Sequence, residues 1–244
     1  MGGVPPTVGV TGGEYMPRPN VGAAMRVDHE GLQFERLGHA SVRIETGDRV
    51  VYIDPWSDVL DGAPGDGDVV FVTHDDPDHY DPDAIAGVAK PDATVAAYEA
   101  VDTSDLEFEV VGLPHEGERT VAGMTVQTIP SHNDPDGPHV DDDGDPWHAE
   151  GEVVGLLLTI DGTTVYFPSD TDFLPHHESV RADVFLPPIG GHYTMDRHEA
   201  ADFARSVAPD LTLPVHYDTF EAVETDAEAF AEELAAEGFR VELF

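Results

Sequence analysis

The chain contains no cysteine. That absence excludes disulfides, thiolate metal ligands and a cysteine nucleophile together. Basic residues are scarce: Lys90 is the only lysine, and the 11 Lys and Arg face 50 Asp and Glu, a formal net charge of −39. Nucleic-acid binding rests on Lys and Arg neutralising phosphates, so no nucleic-acid partner is expected. No window approaches 18 consecutive apolar residues, which argues against a transmembrane helix and a membrane partner. Residues 1–26 are rich in Gly and Pro but lack a basic n-region and an apolar h-region, so they do not read as a signal peptide. A poorly ordered leader is expected there, or a true start at Met25, on a cytoplasmic protein.

A charge this large and of one sign repels itself in dilute buffer. At molar salt the Debye length falls to about 3 Å and the repulsion is screened. The acids are spread along the whole chain rather than gathered in a tail, which fits a hydrated acidic surface better than a docking site for a basic partner. At 244 residues the chain suits one large domain, expected over 27–244. Whether that domain forms a homo-oligomer is left open.

The most informative stretch is His74-Asp75-Asp76-Pro77-Asp78-His79, directly after the apolar run Val69-Val70-Phe71-Val72. Imidazoles and carboxylates are the donors that a hydrolytic divalent-metal site uses. In an extended segment His74, Asp76 and Asp78 point roughly the same way, because side chains alternate with period two. Pro77 keeps the segment out of a helix. An acidic loop with two incidental histidines is the plain alternative.

Alternating and periodic apolar residues predict strands at Leu32–Arg36, Ser41–Glu45, Arg49–Ile53, Asp68–Val72, Thr94–Ala97, Glu107–Val111, Arg119–Ala122 and Thr125–Ile129. In the second half they predict strands at Glu152–Ile160, Thr163–Phe167, Val184–Leu186, Leu211–Val215 and Phe239–Leu243. Asp81-Pro82 opens a helix to about Val88, as N-cap and first-position proline. Thr194–Val207 reads as an amphipathic helix. Thr225–Glu237 reads as another, capped by Thr225 with Glu228 closing a capping box. Residues 133–151 form a long acidic loop. Its Asp141, Asp143 and Asp145 alternate faintly like a calcium loop, but Pro146 stands where such a loop needs glycine. Two strand-rich halves, each with helices, suit an α/β fold of four layers, αββα.

The His74–His79 stretch resembles the His-x-His-x-Asp-His signature of metallo-β-lactamase-fold hydrolases, with Asp76 in place of the second histidine. Further segments follow in order. They are Leu37-Gly38-His39-Ala40-Ser41, Tyr52-Ile53-Asp54-Pro55-Trp56, Ile129-Pro130-Ser131-His132-Asn133 and Tyr166-Phe167-Pro168-Ser169-Asp170-Thr171-Asp172. Pro188-Ile189-Gly190-Gly191-His192-Tyr193 and Pro214-Val215-His216-Tyr217 complete the set. The combination is similar to the ascorbate-6-phosphate-lactonase-like branch, and the composition resembles that of proteins from salt-accumulating haloarchaea.

The resemblance implies a four-layer αββα metallo-β-lactamase sandwich with two divalent ions, Zn or Mn with Fe as a further candidate. It implies that His74, Asp76 and a third histidine hold one ion, that Asp78, His79 and His216 hold the other, and that Asp170 bridges. His132, just past the strand ending at Ile129, is the preferred third histidine; His148 is the alternative ligand or a substrate residue. Such an ion pair lowers the pKa of a shared water, so a metal-bound hydroxide can attack a small lactone, ester or phosphoester. Asp78 is thereby a catalytic candidate as well as a ligand. His192 is a candidate proton donor, and His39 and Tyr193 are candidate substrate residues in Gly-flanked loops, with a packing role open for His39. Trp56 and Trp147 line a pocket or simply pack. His29, His115, His139, His176, His177 and His198 read as surface residues. Carboxylate at position 76 shifts metal preference from zinc towards manganese or iron, or removes the first site. The competing functions are a non-catalytic metal-binding or scaffold protein and, less favoured for want of a basic groove, a nuclease.

Overall fold

The computed structural model describes residues 25–244. The expected leader lies outside the described residues up to position 24. Eight elements build the first half: β1 (Arg26–His29), β2 (Leu32–Gly38), β3 (Ser41–Glu45), β4 (Val50–Ile53), β5 (Gly67–Val72), α1 (Pro82–Val88), β6 (Ala89–Tyr98) and β7 (Glu109–Leu113). Their strands form one seven-stranded sheet in sequence order, antiparallel from β1 to β4 and parallel from β4 to β7. The second half supplies β8 (Gly117–Val121), β9 (Met124–Ser131), β10 (Val153–Ile160), β11 (Thr163–Phe167), β12 (Val184–Phe185), α2 (Arg197–Val207), β13 (Leu211–Thr212) and α3 (Ala227–Ala236). These strands form a six-stranded sheet in the order β13-β12-β11-β10-β9-β8, parallel at the β11-β12-β13 end.

Period-two alternation decides which side chains fill which layer. Val69 and Phe71 of β5 meet Leu156 and Leu158 of β10 in the core between the sheets. Their neighbours Val70 and Val72 face the other way and pack with Ile85 and Val88 of α1. On the far side Tyr166 and Phe185 pack with Phe203 of α2 and Phe230 of α3. The layers therefore run helix, sheet, sheet, helices, the αββα arrangement expected. Phe203 anchors the outer layer, its ring 4.5 Å from that of Phe173, 4.8 Å from Phe185, 5.0 Å from His177 and 5.8 Å from Tyr166. Burying such a ring contributes about 1.5–3 kcal/mol before packing is counted.

The parallel strands β4, β5 and β11 end near one edge, and the loops that leave them hold the candidate residues. Close approach is enforced by glycine at Gly190. A Cβ there would stand 2.4 Å from the His216 carbonyl oxygen, so the Pro188–Gly191 segment can lie against the His216 segment only without a side chain.

The structure differs from the sequence reading at several ends. β1 begins at Arg26, inside the expected leader, where Arg26 pairs with Glu35. Helix α2 starts at Arg197, not Thr194, because the Asp196 carboxylate accepts the His198 and Glu199 N–H groups. In the same way Asp226, not Thr225, caps α3, accepting from the Ala229 N–H, and the Thr225 N–H is given to Asp218. Carboxylates outcompete hydroxyls here as acceptors for free helix N–H groups, aided by the helix dipole. Phe239–Leu243 makes only a single bridge, Val241 with Thr212. Asp141 accepts the N–H groups of Asp143 and Asp145, so the acidic loop closes on its own backbone.

Candidate metal centre

Strand β5 ends at Val72 and delivers Thr73 and His74 to the sheet edge, both buried. His74 Nδ1–H donates to Thr73 Oγ1 at 3.0 Å, which leaves His74 Nε2 buried with no hydrogen-bond partner. A tight turn follows, with the His79 and Tyr80 N–H groups both bonded to the Asp76 carbonyl. That turn brings His79 back beside His74, ring centroids 4.1 Å apart. His79 Nδ1–H donates to Asp54 at 2.8 Å, and its Nε2 is likewise buried and unpaired, 3.4 Å from Asp170 Oδ1.

Asp54, fully buried at the end of β4, organises both rings. It accepts the Thr73 N–H at 3.0 Å and the Thr73 hydroxyl at 2.7 Å as well as His79. Ser169 donates in turn to the Thr73 hydroxyl at 2.8 Å. Fixing one imidazole nitrogen by a hydrogen bond sets the tautomer that presents the other as a lone pair. In the sequence Asp54 stands out only as part of its motif, and nothing local marks Thr73 or Ser169 for a role. The signal was available in Ile53-Asp54-Pro55: an aspartate closing an apolar strand in a sheet edge rich in histidine.

Seven donor residues from four segments converge. Asp76 Oδ2 lies 3.6 Å from His74 Nε2 and 3.3 Å from His148 Nε2. Asp78, His79 and His216 gather on the other side, with His39 beside them. Asp170 lies between, its Oδ2 3.1 Å from His216 Nε2 and 3.6 Å from His148 Nε2. His74, Asp76 and His148 form one group of mutually close donor atoms, and Asp78, His79 and His216 belong to another.

The structure differs from the sequence expectation at His132. Its Nδ1–H donates to the Asn133 carbonyl at 2.8 Å and its ring faces His176, 6.0 Å away. His148 stands beside His74 instead. The reason is loop closure: Asn133 N–H donates to the His148 carbonyl and the His148 N–H to Asn133 Oδ1, at 2.9 and 2.8 Å. The long loop leaves the strand end and returns to it, so residue 148 occupies the place that spacing alone would give to residue 132.

His39 is fully buried rather than open to substrate. Its Nε2–H donates to Asp78 at 2.9 Å and its Nδ1 meets Thr219 Oγ1 at 3.0 Å. Burial and the adjacent His216 push its pKa down to about 3, so it is a neutral donor that orients Asp78. His192 is exposed; its ring lies against Trp147 and Tyr193, and it is not among the converging donors. His139 and His177, read as surface residues, are both buried. His177 stacks on Phe203 and donates to the Pro130 carbonyl. His139 bonds Asp172 at 2.6 Å and fastens the long loop to the segment that carries Asp170. Glu199 adjoins that pair but already accepts the Phe173 N–H.

The electrostatics are those of a cation site. Burial opposes ionisation of Asp170, yet His216, His79 and His148 hold it well below the usual carboxylate range. The hydrogen bond from His148 and the nearby His74 ring lower Asp76, and for Asp78 burial is outweighed by the bond from His39 together with the neighbouring His79 and His216. Burial alone would lower His79, but Asp170, Asp54 and Asp78 push it up to about 10. The carboxylates thus hold positive charge that a divalent ion would supply, with proton release on binding. Half of the ten described non-glycine residues with positive φ lie at this edge. His39, Asp54, Ser169, His192 and His216 all have left-handed backbones, φ from 45° to 64°. Non-glycine residues there cost free energy and cluster at functional sites.

A family model described as the beta-lactamase superfamily domain matches residues 33–216. A UPF0173 metal-dependent hydrolase from Methanosphaerula palustris is 36% identical over 201 residues, covering 80% of this chain and 88% of that protein. Among solved structures, one from Parabacteroides distasonis described as a metal-dependent hydrolase superposes with a TM-score of 0.75 at 25% identity. The match covers 91% of this chain and 97% of that one. The metallo hydrolase Igni18 from Ignicoccus hospitalis gives a TM-score of 0.71 at 23% identity over 87% and 94% of the two chains, a likeness of fold. Converging donors on an αββα scaffold and these relatives agree: the chain belongs to the UPF0173 metal-dependent hydrolase family of the metallo-β-lactamase superfamily.

Proposed function

We propose that the protein hydrolyses a small lactone, ester or phosphoester at two divalent ions held by His74, Asp76 and His148 on one side and Asp78, His79 and His216 on the other, with Asp170 shared. The observation that carries this reading is the set of buried, unpartnered atoms aimed at one another: His74 Nε2, His79 Nε2 and Asp170 Oδ1. Each buried polar atom left unpaired costs about 1–3 kcal/mol, a cost that a coordinated cation removes. Each side offers two imidazoles and a carboxylate besides Asp170. That oxygen-rich set favours manganese or iron over zinc.

When bound, the ions supply Lewis acidity and acidify a coordinated water. The protein's own residues supply position. Asp54 and Thr73 fix the rings of His79 and His74, and His39, itself held by Thr219, fixes Asp78. His192, exposed beside Trp147 and Tyr193, is the candidate proton donor to the leaving group. The motif likeness to the ascorbate-6-phosphate-lactonase-like branch is the reason for placing lactones first in a screen. The charge of −39 supports a working environment of molar salt.

The test is a panel of a lactone, an aryl ester and a phosphodiester, assayed in molar KCl with metal-depleted protein before and after Mn or Zn is restored. Turnover that appears only with metal and disappears in Asp170→Asn is expected. Metal-independent turnover, or full activity in Asp170→Asn, would remove the reading.

A further inference from the structure

The rim of the candidate metal centre is aromatic. A run of rings spans the rim from one group of donors to the other. His39, in contact with Asp78, has Phe220 at 5.6 Å and Trp56 at 5.5 Å. Phe220 leads to Tyr193 at 6.4 Å, and Tyr193 to Trp147 at 5.0 Å. Trp147 adjoins His148 in sequence and packs 5.6 Å from the His192 ring. Trp147 is 38% exposed, one of three large apolar side chains in that state among the described residues. An indole held open beside a metal centre, with a tyrosine set edge-on to it, offers a flat apolar face at little entropic cost.

Most described lysine and arginine side chains are engaged elsewhere: Arg26, Arg119 and Arg240 pair with Glu35, Glu99 and Glu242, and Arg181 donates to the Glu178 and Val180 carbonyls. Arg36, three residues before His39 in sequence, is half-buried with its guanidinium on the His39 and Tyr217 carbonyls. Arg43, Lys90, Arg197 and Arg205 pair with acids away from the centre. Arg49 sits in the β3–β4 turn, at the strand ends opposite Asp54. The loops around the rim carry Asp75, Asp134, Asp136, Asp218 and Glu221 instead. Phosphate recognition normally draws on Arg, Lys or helix N-termini. Apart from ions bound at the centre itself, a phosphomonoester dianion would meet rim carboxylates here, without a guanidinium to offset them.

We infer that the substrate is an uncharged ester or lactone carrying an aromatic or other flat apolar group, which stacks on Trp147 beside Tyr193. This rests on the hydrolase reading above and narrows its substrate class. Trp147 acts on specificity: it holds the apolar group so that the scissile carbonyl lies over the metal centre.

The experiment uses metal-loaded protein in molar KCl with dihydrocoumarin, δ-valerolactone and phenyl phosphate. In parallel, calorimetry measures binding of 3,4-dihydro-2-quinolinone, the uncharged lactam counterpart of dihydrocoumarin. The expected KM for dihydrocoumarin is at least about tenfold below that for δ-valerolactone, with phenyl phosphate a poor substrate. Trp147→Ala should raise the dihydrocoumarin KM and weaken lactam binding by about tenfold, the scale of one lost aromatic contact. Trp147→Phe should restore most of both. Equal KM values for the two lactones, a preference for phenyl phosphate, or lactam binding unchanged in Trp147→Ala would each overturn the inference and leave the hydrolase reading standing. No turnover of any panel member would count against the hydrolase reading, and the lactam titration then still decides whether Trp147 is a binding platform.

Discussion

Asp54→Asn is the substitution that isolates how the metal centre is held. The change is nearly isosteric and lies in the second layer of side chains behind the proposed ligands. Asp54 accepts three hydrogen bonds, from Thr73 N–H at 3.0 Å, Thr73 O–H at 2.7 Å and His79 Nδ1–H at 2.8 Å. An asparagine has one acceptor oxygen and a donating amide. With its oxygen left on the Thr73 N–H, the amide nitrogen faces His79 Nδ1. His79 must then present Nδ1 as an acceptor and carry its proton on Nε2, the atom proposed to bind metal. Loss of such a supporting partner typically weakens metal affinity 10–100-fold. One to two misplaced buried bonds at about 1–3 kcal/mol each set the accompanying loss of fold stability. Competition titration with a chromophoric chelator measures the affinity, and nitrogen-15 NMR of the imidazoles reads the tautomer. Asp54→Asn with wild-type affinity for both ions and an unchanged His79 tautomer would refute the reasoning.

Three further outcomes follow from the structure. Asp76→Ala should lower metal stoichiometry from two towards one by elemental analysis, whereas Asp76→His should keep two and shift preference to zinc, imidazole being the softer donor; two ions retained in Asp76→Ala would remove Asp76 from the site. The melting temperature should rise steeply between low and molar KCl, because 50 acids face 11 bases; a melting temperature that ignores salt would contradict the surface argument. Burial pushes His177 down to about 4, so the unfolded chain binds a proton that the native one refuses between about pH 6.5 and 4. Its contribution is therefore whole above pH 6.5 and is lost as pH falls through that window, on the order of 3 kcal/mol. Melts of His177→Gln and wild type at pH 7.5 and 4.5 should show a smaller acid loss in the variant; parallel losses would refute it.

The layers of the fold were legible because alternation is a local property. Val69-Val70-Phe71-Val72 announces a strand buried on both faces, and Asp81-Pro82 announces a helix start, wherever the rest of the chain goes. The donors His74, Asp76, Asp78 and His79 were visible for the same reason, since they sit in one turn. His148 was not resolvable from His132, because that choice depends on how a long loop closes, through Asn133, onto its own exit strand. Asp54 and Thr73 were hidden too. Their role lies in contacts between β4 and β5 ends that are 19 residues apart in sequence. The buried state of His139 and His177 was equally out of reach, as it follows from α2 and the loop packing over β9 and β11 rather than from anything beside those histidines.

The central claim is that two cations share Asp170, one with His74, Asp76 and His148 and one with Asp78, His79 and His216. Anomalous diffraction from crystals grown with manganese, recorded above and below the metal absorption edge, tests it most directly. Two peaks flanking the Asp170 carboxylate, with His148 and not His132 at the first, are the predicted result. A peak at His132 or at His139, Asp172 and Glu199, or no peak beside Asp170, would contradict it.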